Sequence, residues 1–259
     1  MEKNFKKISN EIRLQFLKLI DKGAKYHLGG SASCLDLLTV LFFGKYIDLK
    51  NKNRSPFILS KGHALGVLFS IMIKQKIISN KSFNILMEKA LIGGQLDVFN
   101  LDKYIDWNTG SLGHSIGVST GFALANPRKK VWTIVGDAEI DEGSIWEALF
   151  FISEKKINNI IIIIDRNRLS ASSFIEKKEV LDKKILNQLN FSVSKINGHN
   201  HQSIDKCYNK ANKSKKSSII IANTIKGKGF GLAENNIKYS HQSMNNNEIK
   251  KLIRYYEQA

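Results

Sequence analysis

Two short polar clusters near the middle of the chain carry oxygen atoms of the kind that hold a hard divalent cation. The first is Gly136-Asp137-Ala138, directly after the apolar run 131–135. The second is Asp165-Arg166-Asn167, directly after the unbroken isoleucine run 160–164. Asp137 offers a carboxylate, Asn167 an amide oxygen, and the turn beyond Asn167 a backbone carbonyl, assigned to Leu169. Three such oxygens leave about three positions of a magnesium octahedron open, enough for two diphosphate oxygens and a water. His63, in Ser60-Lys61-Gly62-His63-Ala64, stands at an expected helix start. An imidazole N–H and helix N-terminal amides both suit a phosphate oxygen. Gly110, Gly113 and Gly117 mark a turn where backbone can come close to a ligand.

These clusters act together only if the chain between them brings them side by side. Residues 131–135 are short, apolar and β-branched, and 160–164 read as a strand buried on both faces. Between them, residues 142–153 have helical spacing, with Ile145, Leu149 and Ile152 on one side. Two strands around a helix make a parallel pair with a right-handed crossover. Both polar clusters then sit at the carboxyl ends of neighbouring strands, where open α/β sheets bind ligands.

The same patterning extends outward in both directions. A first helix is predicted over 5–25, ending near Lys22-Gly23, and a second runs from Gly29, Gly30 and Ser31 through Asp36 to Phe43. Residues 57–59 read as a short strand, and 109–125 as a Gly-rich turn followed by a small-residue helix. Residues 77–87 look helical, and the rest of 76–108 reads as a loop. Beyond the central unit come a polar loop and helix (170–189), strands at 190–196 and 217–223, and a terminal helix at 248–258. The reading is an α/β fold, a mostly parallel sheet with helices on both faces, in a single domain spanning 1–259.

Composition narrows the function classes. No apolar run reaches 18 residues, so no transmembrane helix is predicted. The N-terminus reads as an amphipathic helix and lacks an apolar signal core. Cys34 and Cys207 are too few for a disulfide framework and suggest free thiols in a reducing cytoplasm. The net charge of +17 raises the question of nucleic acid. The lysines are scattered beside Asn and Ile, however, with no basic arm or nucleic-acid motif. What remains is a general electrostatic preference for anionic substrates and partners. His199 and His201, in NGHNHQSI, have no further ligands nearby in sequence and are read as part of a turn.

The segment GDAEIDEGSIWEA, followed by DRNRLS, resembles the thiamine diphosphate motif, and it is similar to transketolase in particular. HLGGS, SKGHA, TGSLG and TIKGKGF extend the resemblance to almost the whole chain. It implies the thiamine diphosphate-binding fold, with magnesium held by Asp137, Asn167 and the Leu169 carbonyl. It further implies cofactor contacts from His63, Gly110, Ser111, Leu112, Asp137, Ala138, Asn167, Leu169, Lys226 and His241. His27 and His241 would stand at the reaction centre as catalytic residues. Glu142 is grouped with them because its counterpart joins a carboxylate network at the family's interface. There are departures. Ala138 replaces the usual second Gly of the motif, and His114 lies where the family often has Gln. Gln95-Leu96-Asp97 occupies a loop that often carries a substrate-contacting His, and Gln242-Ser243 follow His241 where Gly is common.

A full transketolase is more than twice the length of this chain, and the resemblance covers only its diphosphate-binding domain. It therefore implies the N-terminal subunit of a split transketolase, a cytoplasmic transferase. Such an enzyme moves a ketol unit from a ketose to an aldose, free or phosphorylated. A separate C-terminal subunit would bring the pyrimidine-binding domain and the glutamate that assists cofactor deprotonation. Two copies of each chain would form a heterotetramer. Trp146 and Phe150, one helical turn apart, are candidates for that interface or for the core. Two other functions share some of these residues. A 2-oxo acid dehydrogenase component would use the same cofactor, but SKGHA and TGSLG argue against it. A non-catalytic cofactor-binding assembly protein is kept open by Ala138 and the missing loop His.

Overall fold

The computed structural model describes residues 4–23, 27–79, 81, 103–169, 183–240 and 244–259. Among the described residues, five strands form one sheet: β1 (Phe57–Leu59), β2 (Val131–Gly136), β3 (Ile160–Arg166), β4 (Ser192–Asn197) and β5 (Ser218–Asn223). Their order is β1-β2-β3-β5-β4, and every neighbouring pair is parallel. The isoleucine run occupies the centre, and its side chains alternate between the two faces. Ile161 and Ile163 join Trp132, Ile134 and Ile220 on one side. Ile160, Ile162 and Ile164 join Val131, Val135, Ile219 and Ile221 on the other. A strand covered on both faces needs apolar residues at every position, which is why the run shows no polar alternation. β4, at an edge, is different: of its own residues only Val193 is buried.

Helices cover both faces, as expected. On the Trp132 side lie α1 (Phe5–Asp21), α2 (Leu28–Phe43) and α3 (Leu65–Lys74). On the opposite side lie α4 (Ser115–Ala125), α5 (Gly143–Glu154) and α6 (Lys183–Gln188). The Trp132 side is completed by α7 (His201–Lys213) and α8 (Asn246–Gln258). α2 is buried from Leu28 to Phe42 on all sides, the pattern of a core helix. α8 begins with a capping box between Asn245 and Glu248, one residue pair that satisfies two backbone N–H groups.

Several boundaries differ from those expected of the sequence. α1 stops at Asp21, and Gly23 follows with φ +95°, where its N–H reaches the Ile20 carbonyl. His63 lies in a short 3-10 turn, Gly62–Ala64, and α3 starts only at Leu65. Residues 77–79 are not helical and residue 81 is, while 80 and 82–87 lie outside the described residues, as do Gln95-Leu96-Asp97. β4 begins at Ser192 because Asn190 has φ +64°, which closes the preceding turn.

One buried ionic cluster joins elements that are far apart in sequence. Asp36 of α2 accepts hydrogen bonds at 2.8 Å from Arg13 of α1 and from His199 Nδ1. The other ring nitrogen of His199 accepts the Ile225 N–H at 2.8 Å, which fixes the Nδ1–H tautomer. His201 bonds Ser9 at 2.9 Å and lies 3.3 Å from Asp36. Both rings of NGHNH are thus used in the turn between β4 and α7. Burial works to raise the Asp36 pKa, but Arg13 and the two histidines outweigh it and hold the carboxyl well below the ordinary range. A lowered carboxylate contributes stability above its unfolded pKa of about 4 and loses it as the pH falls. Asp36→Ala is expected to cost about 3–5 kcal/mol in urea unfolding at pH 7, because it strands a buried guanidinium. The difference from the parent chain should narrow as the medium is acidified below about pH 4.

Candidate active site at the carboxyl edge of the sheet

Because all five strands are parallel, their carboxyl ends share one edge. β2 and β3 pair with Gly136 opposite Asp165, so the segments following them start level. Asp137 is buried, and its Oδ2 accepts the Arg168 N–H at 2.6 Å. That bond ties the end of β2 to the turn beyond β3. Oδ1 accepts the Ala138 N–H at 2.9 Å. Asn167 Oδ1 accepts the Leu169 N–H at 3.1 Å, and the Leu169 carbonyl accepts Lys226 Nζ at 3.1 Å. The three expected oxygen donors therefore form one contiguous group. Arg168 has φ +62°, which turns the chain back on itself between two of them. Ala138 is absent from the positive-φ residues and sits in a 3-10 turn, so its methyl meets no backbone penalty there.

The start of α2 forms the floor beside this group. A Cβ on Gly29 would lie 3.1 Å from Lys226 Cγ, and one on Gly30 only 2.6 Å from His63 Nε2. The helix N-terminus thus runs between the lysine and the histidine with no room for a side chain. His27, the residue before α2, stands edge-on to His63 with ring centroids 5.7 Å apart. The carbonyl of Tyr239 also approaches Gly29, so the chain leading to His241 passes close by. His241 itself lies outside the described residues.

The turn at Gly110, Ser111, Leu112 and Gly113 forms the opposite wall. Gly113 has φ +85°, and its N–H donates to Glu139 Oε1 at 3.0 Å. Glu139 also accepts from Ser60 Oγ and from the Gly136 N–H, so this buried carboxylate pins the turn to β1 and β2. Glu142 borders Gly113 and is exposed, as are Ser111 and Leu112. His114 is exposed at the start of α4.

Beneath the site lies a charge pair that the sequence patterns did not assign. Lys61, of SKGHA, donates to Asp165, to the Gly30 carbonyl at 2.8 Å and to Ser33 Oγ at 3.1 Å. Asp165 further accepts from Ser33 at 2.5 Å and from Thr224. Burial opposes ionisation of Asp165, but Lys61 and these hydroxyls prevail and lower its pKa. The available signal was a charged residue ending a run of five isoleucines. Burial, together with the nearby Lys61, pushes the Lys226 ammonium down to about 8, and burial raises the Asp137 carboxyl.

The chemistry of this donor set fits magnesium and a diphosphate. One carboxylate, one amide oxygen and one carbonyl are hard donors, too few to enclose a cation, so ligand oxygens must complete the shell. Among the described residues no group of three His, Cys, Asp or Glu offers a competing metal site. The side-chain-free floor at Gly29 and Gly30, flanked by Lys226 and His63, suits phosphate oxygens at a helix N-terminus. Calorimetry with inorganic pyrophosphate and Mg²⁺ should show Asp137→Ala abolishing binding and Gly30→Ala weakening it at least tenfold. Ala138→Gly should change it less than tenfold. A much larger gain from Ala138→Gly would mean that the native turn is impaired.

Residues 5–257 match the family described as transketolase, thiamine diphosphate binding domain. The chain is 31% identical over 244 residues to an apulose-4-phosphate transketolase subunit from Phocaeicola vulgatus, covering 90% of this chain and 86% of that protein. It is 27% identical over 261 residues to human transketolase, covering 96% of this chain but 41% of the relative. Transketolase from Campylobacter jejuni superposes with a TM-score of 0.86 at 26% identity, over 99% of this chain and 43% of that structure. The chain thus spans about two-fifths of full-length transketolases and nearly all of the separate apulose-4-phosphate chain. It belongs to the transketolase family and corresponds to its thiamine diphosphate-binding N-terminal part.

Proposed function

We propose that this chain is the diphosphate-binding subunit of a two-subunit transketolase that works with magnesium and thiamine diphosphate in the cytoplasm. The observation that carries the reading is the 2.6 Å bond from Arg168 N–H to Asp137, which unites the two halves of the metal-binding motif. Asp137, Asn167 and Leu169 would hold the metal. His63, Lys226, Ala138 and the backbone at Gly110, Ser111 and Leu112 would hold the diphosphate. Bound thiamine diphosphate supplies the carbanion stabilisation that ketol transfer requires. His27, and His241 beyond the described residues, would hydrogen-bond sugar hydroxyls and carry protons to and from them. The unstrained turn at Ala138 supports the catalytic reading over a non-catalytic binding protein, since the substitution costs the motif nothing in backbone geometry.

Substrate and partner follow from the same surface. Relatives are named for apulose-4-phosphate and for 6-deoxy-6-sulfo-D-fructose, both anionic sugars. A net charge of +17 favours such substrates here. The partner would supply the pyrimidine-binding domain and its glutamate, two copies of each chain making the enzyme. Phe150 (56% exposed) and Leu112 (45%) present apolar surface near the site and its neighbouring helix. Trp146, in contrast, is half-buried and donates to the Ile140 carbonyl at 2.9 Å. Glu142 is exposed on the same rim, where a carboxylate network across the interface would form.

Light scattering of the mixed chains, followed by a ketose-to-aldose transfer assay, tests this reading. Activity is expected only from the mixture. His27→Ala should lower kcat by roughly 10²–10⁴ with cofactor saturating, and His63→Ala should chiefly weaken cofactor affinity. Full transferase activity from this chain at the mass of a complex without partner would overturn the two-subunit reading.

A further inference from the structure

Lys226 is placed among the metal-site oxygens. Its Nζ lies 3.1 Å from the Leu169 carbonyl, which the proposed site also assigns to the metal. The residue is 8% exposed, and its stem packs against the backbone at Gly29. Four charged groups act on one another here. Lys61 is paired with Asp165, and the Lys226 ammonium is attracted by Asp137 and Asp165 and repelled by Lys61. These two lysines and two aspartates balance one another, and the Glu139 carboxylate beside Gly136 is held by the Gly113 turn and Ser60. A bare divalent cation adds two positive charges to that balance and shares a carbonyl with an ammonium. Repulsion between such groups is strong where water is excluded. A diphosphate arriving with the metal brings more negative charge than the metal brings positive, and it sets anionic oxygens beside the ammonium.

We infer that Lys226 makes metal binding conditional on diphosphate, so that the site admits the metal–diphosphate pair and rejects the free divalent cation. This rests on the metal site proposed above. Lys226 then does more than contact the cofactor. It sets the coupling between two ligands, and that coupling is reciprocal: diphosphate strengthens metal binding by the same factor as metal strengthens diphosphate binding. Removing the ammonium leaves the remaining groups with an excess negative charge, which favours a free cation.

The test uses the full chain and Mn²⁺ as a paramagnetic probe, titrated alone and with saturating inorganic pyrophosphate. In the parent chain, pyrophosphate is expected to tighten Mn²⁺ binding at least a hundredfold. Lys226→Met should bind free Mn²⁺ at least tenfold more tightly than the parent, and bind it at least tenfold more weakly with pyrophosphate present. Lys226→Gln, a second neutral variant, should behave alike, and Lys226→Arg should restore the parental order. A gain in free-metal affinity that is lost again on Asp137→Ala is specific to the site and not the mark of a damaged fold. Neutral variants that leave free Mn²⁺ affinity unchanged, while pyrophosphate-dependent binding still requires Asp137, overturn the role of Lys226 alone. Binding that is absent from the parent, or unaffected by Asp137→Ala, overturns the metal site and the inference with it.

Discussion

Lys61 and Asp165 form an ion pair with almost no exposure, 2% and 0% for the two side chains. Each would be costly alone in the interior, and their geometry makes the pair tolerable only because every neighbour contributes a hydrogen bond. The pair and its partners come from four elements. Gly30 and Ser33 lie in the first two turns of α2, Lys61 follows β1, Asp165 is next to the last residue of β3, and Thr224 follows β5. Satisfying one buried pair therefore fixes the relative positions of the segments that carry His63, Asn167, Lys226 and the glycine floor. The proposed metal and diphosphate donors stand on segments that this pair locks together.

A parallel sheet makes this economical. With all strands running the same way, every loop that follows a strand emerges on one edge, and the chain returns each time through a helix on a face. The isoleucines of β3 face both helical layers, so the central strand is anchored on either side. Asn167, the proposed metal donor, follows directly beyond the strand's polar end. The same sheet places the Arg13–Asp36–His199 cluster below α2, on the Trp132 side, where it holds α1 and the β4–α7 turn against the helix that forms the floor.

The rim is built differently from the floor. Below it, charged groups are paired and buried, whereas Ser111, Leu112 and Glu142 are exposed. Glu139 is the boundary between the two, a buried carboxylate that holds the Gly113 turn in place while the turn's outer residues face away from the core. A buried floor beneath an exposed rim would leave the proposed cofactor open to the partner proposed above. Full-length transketolases are more than twice as long as this chain.

How far the site could be read in advance depends on sequence distance. Asp137, the intervening helix and Asn167 belong to one local βαβ unit, so patterning and spacing placed the two clusters on neighbouring strand ends. The thiamine diphosphate resemblance then followed from residues standing together in the chain. Nothing local announced that Lys61 would be buried under the site, because its partner Asp165 is 104 positions away. The destination of His199 was equally hidden, since Asp36 is 163 positions distant. Whether Ala138 strained its turn was a question of one backbone angle, and residue type leaves that angle open. Fold class and the place of Asp137 and Asn167 at neighbouring strand ends were written in the linear chain, because they follow from short-range periodicity. Which charges neutralise one another, and that Lys226 shares a carbonyl with the expected metal, emerged only in the folded chain, because strand order and packing bring those groups together from distant segments.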